Sequence, residues 1–519
     1  MSGRLREGPT PLVARSAYRL ELGSARAIMP ELALADLAHI LALLDQGLIA
    51  SEPALELLAA LLELRDSGGG RELRGTAAPL TDDASAAVLE GDGIRLDPAL
   101  GDLVMNREAW LRGRIGRTAG YLLVGRPRRE AVTVGFHLAV RARVLALVAA
   151  LEELQRTLVD LAADHLRTLA VDYTYWQPAQ PTTLAHALLG YAYPLGRDVE
   201  RLQAAFGRAN ASPAGAGCTN GTAIPLDRSA IARQLGFDSV VVHTRDANWQ
   251  ADLAFELAAI AASVSLSLDR LAEDLITWGT REFGFVELAD RAARVSMAMP
   301  QKKNPYALVF VRGVAARLLG RLAGAGAIAK TASGQPDPRI FAQDEVPESL
   351  ELAEQGTALL AEVMSGIIFD RARLAAAASR GYLAGNDLAE EIMRHGAMPF
   401  GTAHKVVARA VRVALEAGRE FDGIDSAALD AAALEVAGER VGLTDAQIRE
   451  ALDPELAVSR RMGIGGAAPA AVRAMIADRR RDLRRQQRWI DVRAGGIAHA
   501  EEALLARAYT RAGRAAGEA

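Results

Sequence analysis

Apolar residues recur every three or four positions through most of this chain, and the places where that rhythm stops divide it into helices. Leu32 to Leu64 reads as two amphipathic helices separated between Gly47 and Pro53, the second capped at Ser51-Glu-Pro with Pro53 in its first turn. Ser67-Gly-Gly-Gly70 breaks the pattern, and Leu80 to Gly101 reads as irregular. A long helix is predicted from Ala131 to about Leu169; Asp172 to Pro181 ends it and starts another, with Thr174 and Thr182 as caps. Leu253 to Phe285 is the longest near-continuous helical stretch, its Leu, Ala and Ile positions spread widely enough for burial on several sides. The pattern resumes from Ala307 to Ile328 and again from Ala377. Met1 to Pro11 is polar and reads as a loose start, and Ala494 to Ala519 as a helix or tail.

Composition agrees with an all-α chain. Its 519 residues are half hydrophobic, only 5% aromatic, and rich in Ala, Leu, Arg and Glu. A net charge of −4 gives no whole-molecule case for nucleic acid or an acidic membrane surface. The dense arginines of Arg479 to Arg488 lack interleaved aromatics and read as a solvated helix face. Cys218 is the single cysteine, which excludes an intrachain disulfide and a cysteine metal cluster. The eight histidines include no His-x-x-x-His pair, so no metal is expected. No apolar run of membrane-spanning length and no cleavable leader is apparent, so the expected compartment is the cytoplasm, with no membrane partner.

Chemistry concentrates in Arg294-Val-Ser-Met-Ala-Met-Pro-Gln-Lys-Lys-Asn-Pro305. Here a hydroxyl (Ser296), two amides (Gln301, Asn304) and two ammoniums (Lys302, Lys303) interrupt the helical array. Pro300 and Pro305 forbid a regular helix, so these groups sit on a shaped loop, and loops held by rigid scaffolds are where catalytic groups collect. A second place is Gly116 to Glu130, where Arg128 and Arg129 precede the long helix. Backbone N–H groups at a helix start beside guanidinium forks make a carboxylate site, although a surface basic cluster would read the same way. Ser212 to Gly221 is Gly-rich but lacks the Gly-Lys-Ser/Thr ending of a phosphate loop, and reads as close helix packing.

Met299 to Pro305 match the end of Gly-Ser-Ser-x-Met-Pro-Gln-Lys-Lys-Asn-Pro, and on this motif the chain resembles the argininosuccinate lyase branch of the fumarase/aspartase superfamily. The resemblance runs from about Leu32 to Leu483 and places the proton-abstracting serine at Ser296. Val295 and Met297 stand where the family has glycine and a second serine, and a β-branched residue stiffens what glycine would leave free. Arg128 and Arg129 fall on the Arg-Asn pair of Gly-Arg-Ser-Arg-Asn-Asp-Gln, with Glu130 at its Asp. Asp172 to Pro181 is similar to Gly-Tyr-Thr-His-Leu-Gln-x-Ala-Gln-Pro, which makes Thr174 a carboxylate ligand and adds Gln177 to the binding set. Tyr175 replaces the family histidine and Val309 the glutamate that pairs with it. Losing both avoids leaving one buried charge unpaired. Leu235 to Asp238, Asp246, Asp252 and Gly463 to Pro469 also match, whereas Asp337, Ala342 and Glu345 replace the Tyr, Gln and Lys that hold argininosuccinate.

The resemblance implies three helical domains, here 1–127, 128–376 and 377–519, the second forming a central bundle of long helices. It implies a homotetramer with active sites shared by three chains, no cofactor, and small-molecule dicarboxylate and amine partners. The reaction it implies is β-elimination: Ser296 takes a proton, Lys302 and Asn304 hold the carboxylate where charge builds, and Arg128, Arg129 and Thr174 hold the others. Tyr175 is the candidate proton donor to nitrogen. The extra arginine and acidic back wall favour an aminopolycarboxylate such as ethylenediamine-disuccinate. A true argininosuccinate lyase and a non-catalytic structural tetramer are the alternatives.

Overall fold

Long helices dominate because apolar residues recur at helical spacing over runs far longer than one turn. The computed structural model describes residues 7–25, 27–67, 89–91, 94–332, 337–396, 398–419 and 423–513. The Gly68 to Gly70 break, Met1 to Arg6 and half of the 80–101 stretch therefore lie outside the described residues, although Leu89–Gly91 pairs with Ile94–Leu96 as a short ribbon.

After a helical run over residues 11–25 come α1 (Met29–Asp45), α2 (Ser51–Asp66) and α3 (Leu103–Ile115). Ala50, not Ser51, is the extended N-cap of α2, and Ser51 is its first helical residue. The bundle is built from α4 (Arg128–Asp164), α5 (Leu184–Ala209), α6 (Thr244–Trp249), α7 (Asp252–Trp278), α8 (Tyr306–Ala329) and α9 (Asp337–Ser365). Helix α4 packs on α5 and α9, and α7 on α8 and α9. Leu147, Leu151, Leu154 and Leu158 of α4 are fully buried. This helix is apolar and long enough to cross a membrane, but two thirds of its most apolar window is buried against the rest of the chain.

Four helices, α10 (Gly385–Arg394), α11 (Phe400–Glu416), α12 (Ser426–Ala437) and α13 (Asp445–Leu452), share a core of their own around Leu388, Val406 and Ile448. The last helix, α14 (Pro469–Arg511), returns to pack on α4, α1 and α2. At 43 residues it is the longest, followed by the 37 residues of α4; α7 stops at Trp278, short of the predicted Phe285. Arg480, Arg481, Arg484, Arg485 and Arg488 of α14 are exposed, as expected of a solvated face; Arg479 is the exception, half-buried and stacked over Tyr193 at 4.4 Å.

The Asp172 to Pro181 stretch is a β-hairpin rather than a helix boundary. Strand β1 (Leu169–Thr174) pairs antiparallel with β2 (Gln177–Thr183), and Thr183, not Thr174 or Thr182, caps α5 by accepting from His186 N. Pro178 and Pro181 cannot donate to a ladder, which a two-stranded ribbon tolerates because both strands are edges. Tyr175 and Trp176 form the turn at φ 52° and 59°, left-handed conformations that aromatic residues seldom adopt without a functional reason.

Candidate active site

The bundle has two ends, and the direction of each helix decides which residues share one. Helix α4 runs from Arg128 to Asp164, the hairpin follows, and α5 returns, so that His137 Nδ1 meets Ala209 O at 3.0 Å. Helix α7 starts beside the end of α5, where Arg208 Nε donates to Glu256 at 2.7 Å, and finishes at the hairpin, where the Tyr173 and Phe283 rings lie 5.6 Å apart. The loop after α7 is therefore at the hairpin end.

That loop is folded by its own polar groups. Strand β3 (Arg294–Val295) pairs with β4 (Lys303–Asn304), and Asn304 Nδ2 donates to Arg294 O at 3.0 Å. Lys303 joins Asp290 at 2.8 Å and Glu287 at 3.1 Å; these hydrogen bonds, the Asp290 one first, push its ammonium pKa up. Lys302 is exposed and has no ion-pair partner among the described residues. The adjacent lysines are thus divided between anchoring the loop and facing outward. Ser296 Oγ accepts from Met299 N at 3.0 Å, and an N–H donated to a hydroxyl oxygen favours its deprotonated form. Thr174, Tyr175 and Gln177 stand exposed on the hairpin, Tyr175 at 98%. Val309 is 54% exposed on α8, so the residues at the family His and Glu positions are both uncovered in one chain.

The arginine end is built differently. Arg128 is ion-paired to Asp102, which also caps α3 by accepting from Met105 N at 2.9 Å, so a substrate carboxylate would share that partner. Arg129 stacks over Trp249 at 5.3 Å. Glu130, 1% exposed, accepts from Gly215 N at 2.7 Å and Gly217 N at 2.5 Å. Burial pushes its carboxyl pKa up, against the pull of Arg126 and the two N–H groups. The Gly-rich turn therefore wraps a carboxylate, where the sequence suggested only close packing; Gly215 at φ 72° and Gly217 at φ 66° supply the left-handed backbone it needs. Ala342 lies at this end, buried beside a cavity that α4, α6 and α7 also line. Glu345 is half-buried one turn on, and the side chain of Asp337 is outside the described residues.

The predicted site residues are thus split within one chain. Ser296, Lys302, Asn304, Thr174, Tyr175 and Gln177 occupy one end; Arg128 and Arg129 occupy the other, separated by the 37 residues of α4, or about 55 Å at 1.5 Å per residue. No hydrogen bond joins the hairpin tip to the loop among the described residues. Among the described residues no cluster of His, Cys, Asp and Glu has the makings of a metal site. Asp102, Glu130's role and Trp249 escaped the sequence reading. Only Trp249, an isolated aromatic in the polar run 244–252, carried any signal.

Comparison with known proteins extends this geometry. A lyase family model matches residues 80–320, and an argininosuccinate lyase C-terminal model matches 382–459. Argininosuccinate lyase of Methanoculleus marisnigri is 36% identical over 480 residues, 91% of each chain. That of Methanothermobacter thermautotrophicus is 32% identical, over 85% of this chain and 90% of the relative. Among solved structures, a variant of EDDS lyase with bound fumarate superposes with a TM-score of 0.84 at 27% identity, covering 99% of both chains. The long-helix bundle, the loop at its hairpin end and these relatives together establish that the chain belongs to the argininosuccinate lyase branch of the fumarase/aspartase superfamily of lyases.

Proposed function

We propose that the chain releases fumarate from an N-substituted aspartate by β-elimination. Ser296 Oγ, ionised, takes the proton from the carbon next to a carboxylate; the electron pair forms the carbon–carbon double bond, the C–N bond breaks, and nitrogen takes the bonding pair and a proton, with Tyr175 the candidate donor, to leave as a neutral amine. Charge building on the carboxylate during proton removal is met by Lys302 and Asn304, while Arg128 and Thr174 hold the other succinyl carboxylate. The observation that carries this reading is the loop itself, which pairs Lys303 with Asp290 and Glu287 and leaves Lys302 exposed on the same loop as Ser296.

Because α4 keeps the arginines far from the loop, one substrate can meet both sets only if other chains complete the site. The outward faces of α7 and α8 suit that role: Phe255, Leu266, Val309, Phe310 and Leu319 are apolar and all exposed beyond 40%. A site shared between chains is our reading of this geometry, and a homotetramer is what the family resemblance implies for the assembly.

The names of the curated relatives support argininosuccinate as substrate. Arg129 on Trp249 and the exposed Tyr175 favour a second reading, an aminopolycarboxylate such as ethylenediamine-disuccinate. Absorbance-detected fumarate release from each compound discriminates them. Release from argininosuccinate alone supports the first, release from the disuccinate alone supports the second, and release from neither by a folded oligomer leaves a structural protein of the same fold.

A further inference from the structure

We infer that Arg294 is a further catalytic residue, a second cation for the carboxylate that gains charge when the proton leaves, and that Tyr306 aims it; this rests on the lyase reading above. Residues paired directly across an antiparallel ribbon project to the same side, and successive residues alternate sides. Strand β3 and strand β4 pair Arg294 with Asn304 and Val295 with Lys303. The two sides differ in chemistry. On one, Lys303 is committed to Asp290 and Glu287. On the other stand Arg294 and Asn304, and the same alternation, carried one residue past each strand, adds Ser296 and Lys302. The base and the two groups assigned to the charged carboxylate thus share their face with one more cation.

Arg294 is held at its root and open at its tip. Its carbonyl accepts from Asn304 Nδ2 at 3.0 Å, and its guanidinium lies 5.1 Å from the Tyr306 ring centroid. Tyr306 opens α8, and the next two residues, Ala307 and Leu308, are 5% and 0% exposed, so the ring stands on a seated helix rather than on the loop. Arg294 is exposed, and its side chain makes no hydrogen bond or ion pair among the described residues. Stacking uses the face of a guanidinium and leaves the in-plane N–H fork for a carboxylate. Loss of the proton turns that carboxylate into an enediolate, with negative charge on both oxygens. A point charge from Lys302, a fork from Arg294 and the second N–H of Asn304 Nδ2 together match two charged oxygens better than one ammonium does.

The test uses the full-length oligomer and two ligands it does not consume. Succinate carries ordinary carboxylates; the nitronate of 3-nitropropionate ends in a planar group with two anionic oxygens, as the enediolate does. Wild type should bind the nitronate about 10²-fold tighter than succinate or more. Arg294→Gln should lower nitronate affinity and kcat for fumarate release by a similar factor, roughly 10–100-fold, and change succinate affinity and KM less than about threefold. Arg294→Lys keeps the charge without the fork and should show a smaller loss of the same kind, so the comparison survives if the glutamine variant does not assemble. Tyr306→Leu should cut the nitronate preference about threefold, and Tyr306→Phe should keep it. Equal losses for the two ligands, or no nitronate preference in wild type, overturn the inference. An Arg294-dependent preference in a wild type that releases fumarate from neither argininosuccinate nor ethylenediamine-disuccinate overturns the lyase reading and leaves the enediolate site standing; release with a preference untouched at Arg294 overturns the inference alone.

Discussion

Replacing Ser296 by alanine should lower kcat for fumarate release by about 10²–10⁴-fold, the usual contribution of a positioned general base. KM should hardly move, because the carboxylates are assigned to other groups. Folding should survive: the described contact of the Ser296 side chain is one hydrogen bond, from Met299 N on a partly exposed loop, and net hydrogen bonds of that kind contribute about 1 kcal/mol. Initial rates on wild type and variant at matched concentration check the prediction. Activity within tenfold of wild type would place the base elsewhere.

The second large effect is on stability. Asp36 is 2% exposed on α1 and bridges two buried guanidiniums, Arg107 at 2.6 Å and Arg126 at 2.5 Å. Burial alone would raise its carboxyl pKa; Arg126 and Arg107 outweigh that and hold it below its ordinary value. Asp36→Ala strands two positive charges in the core and should cost about 3–5 kcal/mol, read as a lowered denaturation midpoint. His39, one turn on, is pushed down to about 3 by burial first and Arg126 second. Both groups have depressed folded pKa values, so both contribute stability at neutral pH that is lost on acidification. For His39 the loss begins below its ordinary 6.5 and runs down toward 3; for Asp36 it begins below 3.8. His39→Gln should flatten the upper part of that slope, and an unchanged slope would contradict the assignment.

Much of the fold was legible because its helices are long and their apolar rhythm is continuous. The loop was legible because its two prolines and its polar groups cannot continue a helix. The hairpin was not: Tyr173 to Gln180 carries no Gly or Asn to mark a turn, and Tyr175 and Trp176 take up left-handed backbone that local preference argues against. The partnership of Arg129 with Trp249 was invisible for another reason. It joins residues 120 positions apart through a Gly-rich turn whose N–H groups are committed to Glu130, and only the folded chain brings the three together. Ser296 and Arg129 look like members of one site in sequence, yet α4 holds their ends of the bundle apart.

That separation is the central claim, and mixing two damaged chains tests it most directly. Ser296→Ala and an Arg128→Ala, Arg129→Ala double variant are each assayed alone, then dissociated, mixed and reassembled, with wild type carried through the same treatment. A site drawn from several chains predicts fumarate release from the mixture that neither variant shows alone, since some sites receive an intact loop from one chain and intact arginines from another. No release from the mixture, while wild type regains its activity, would contradict the account.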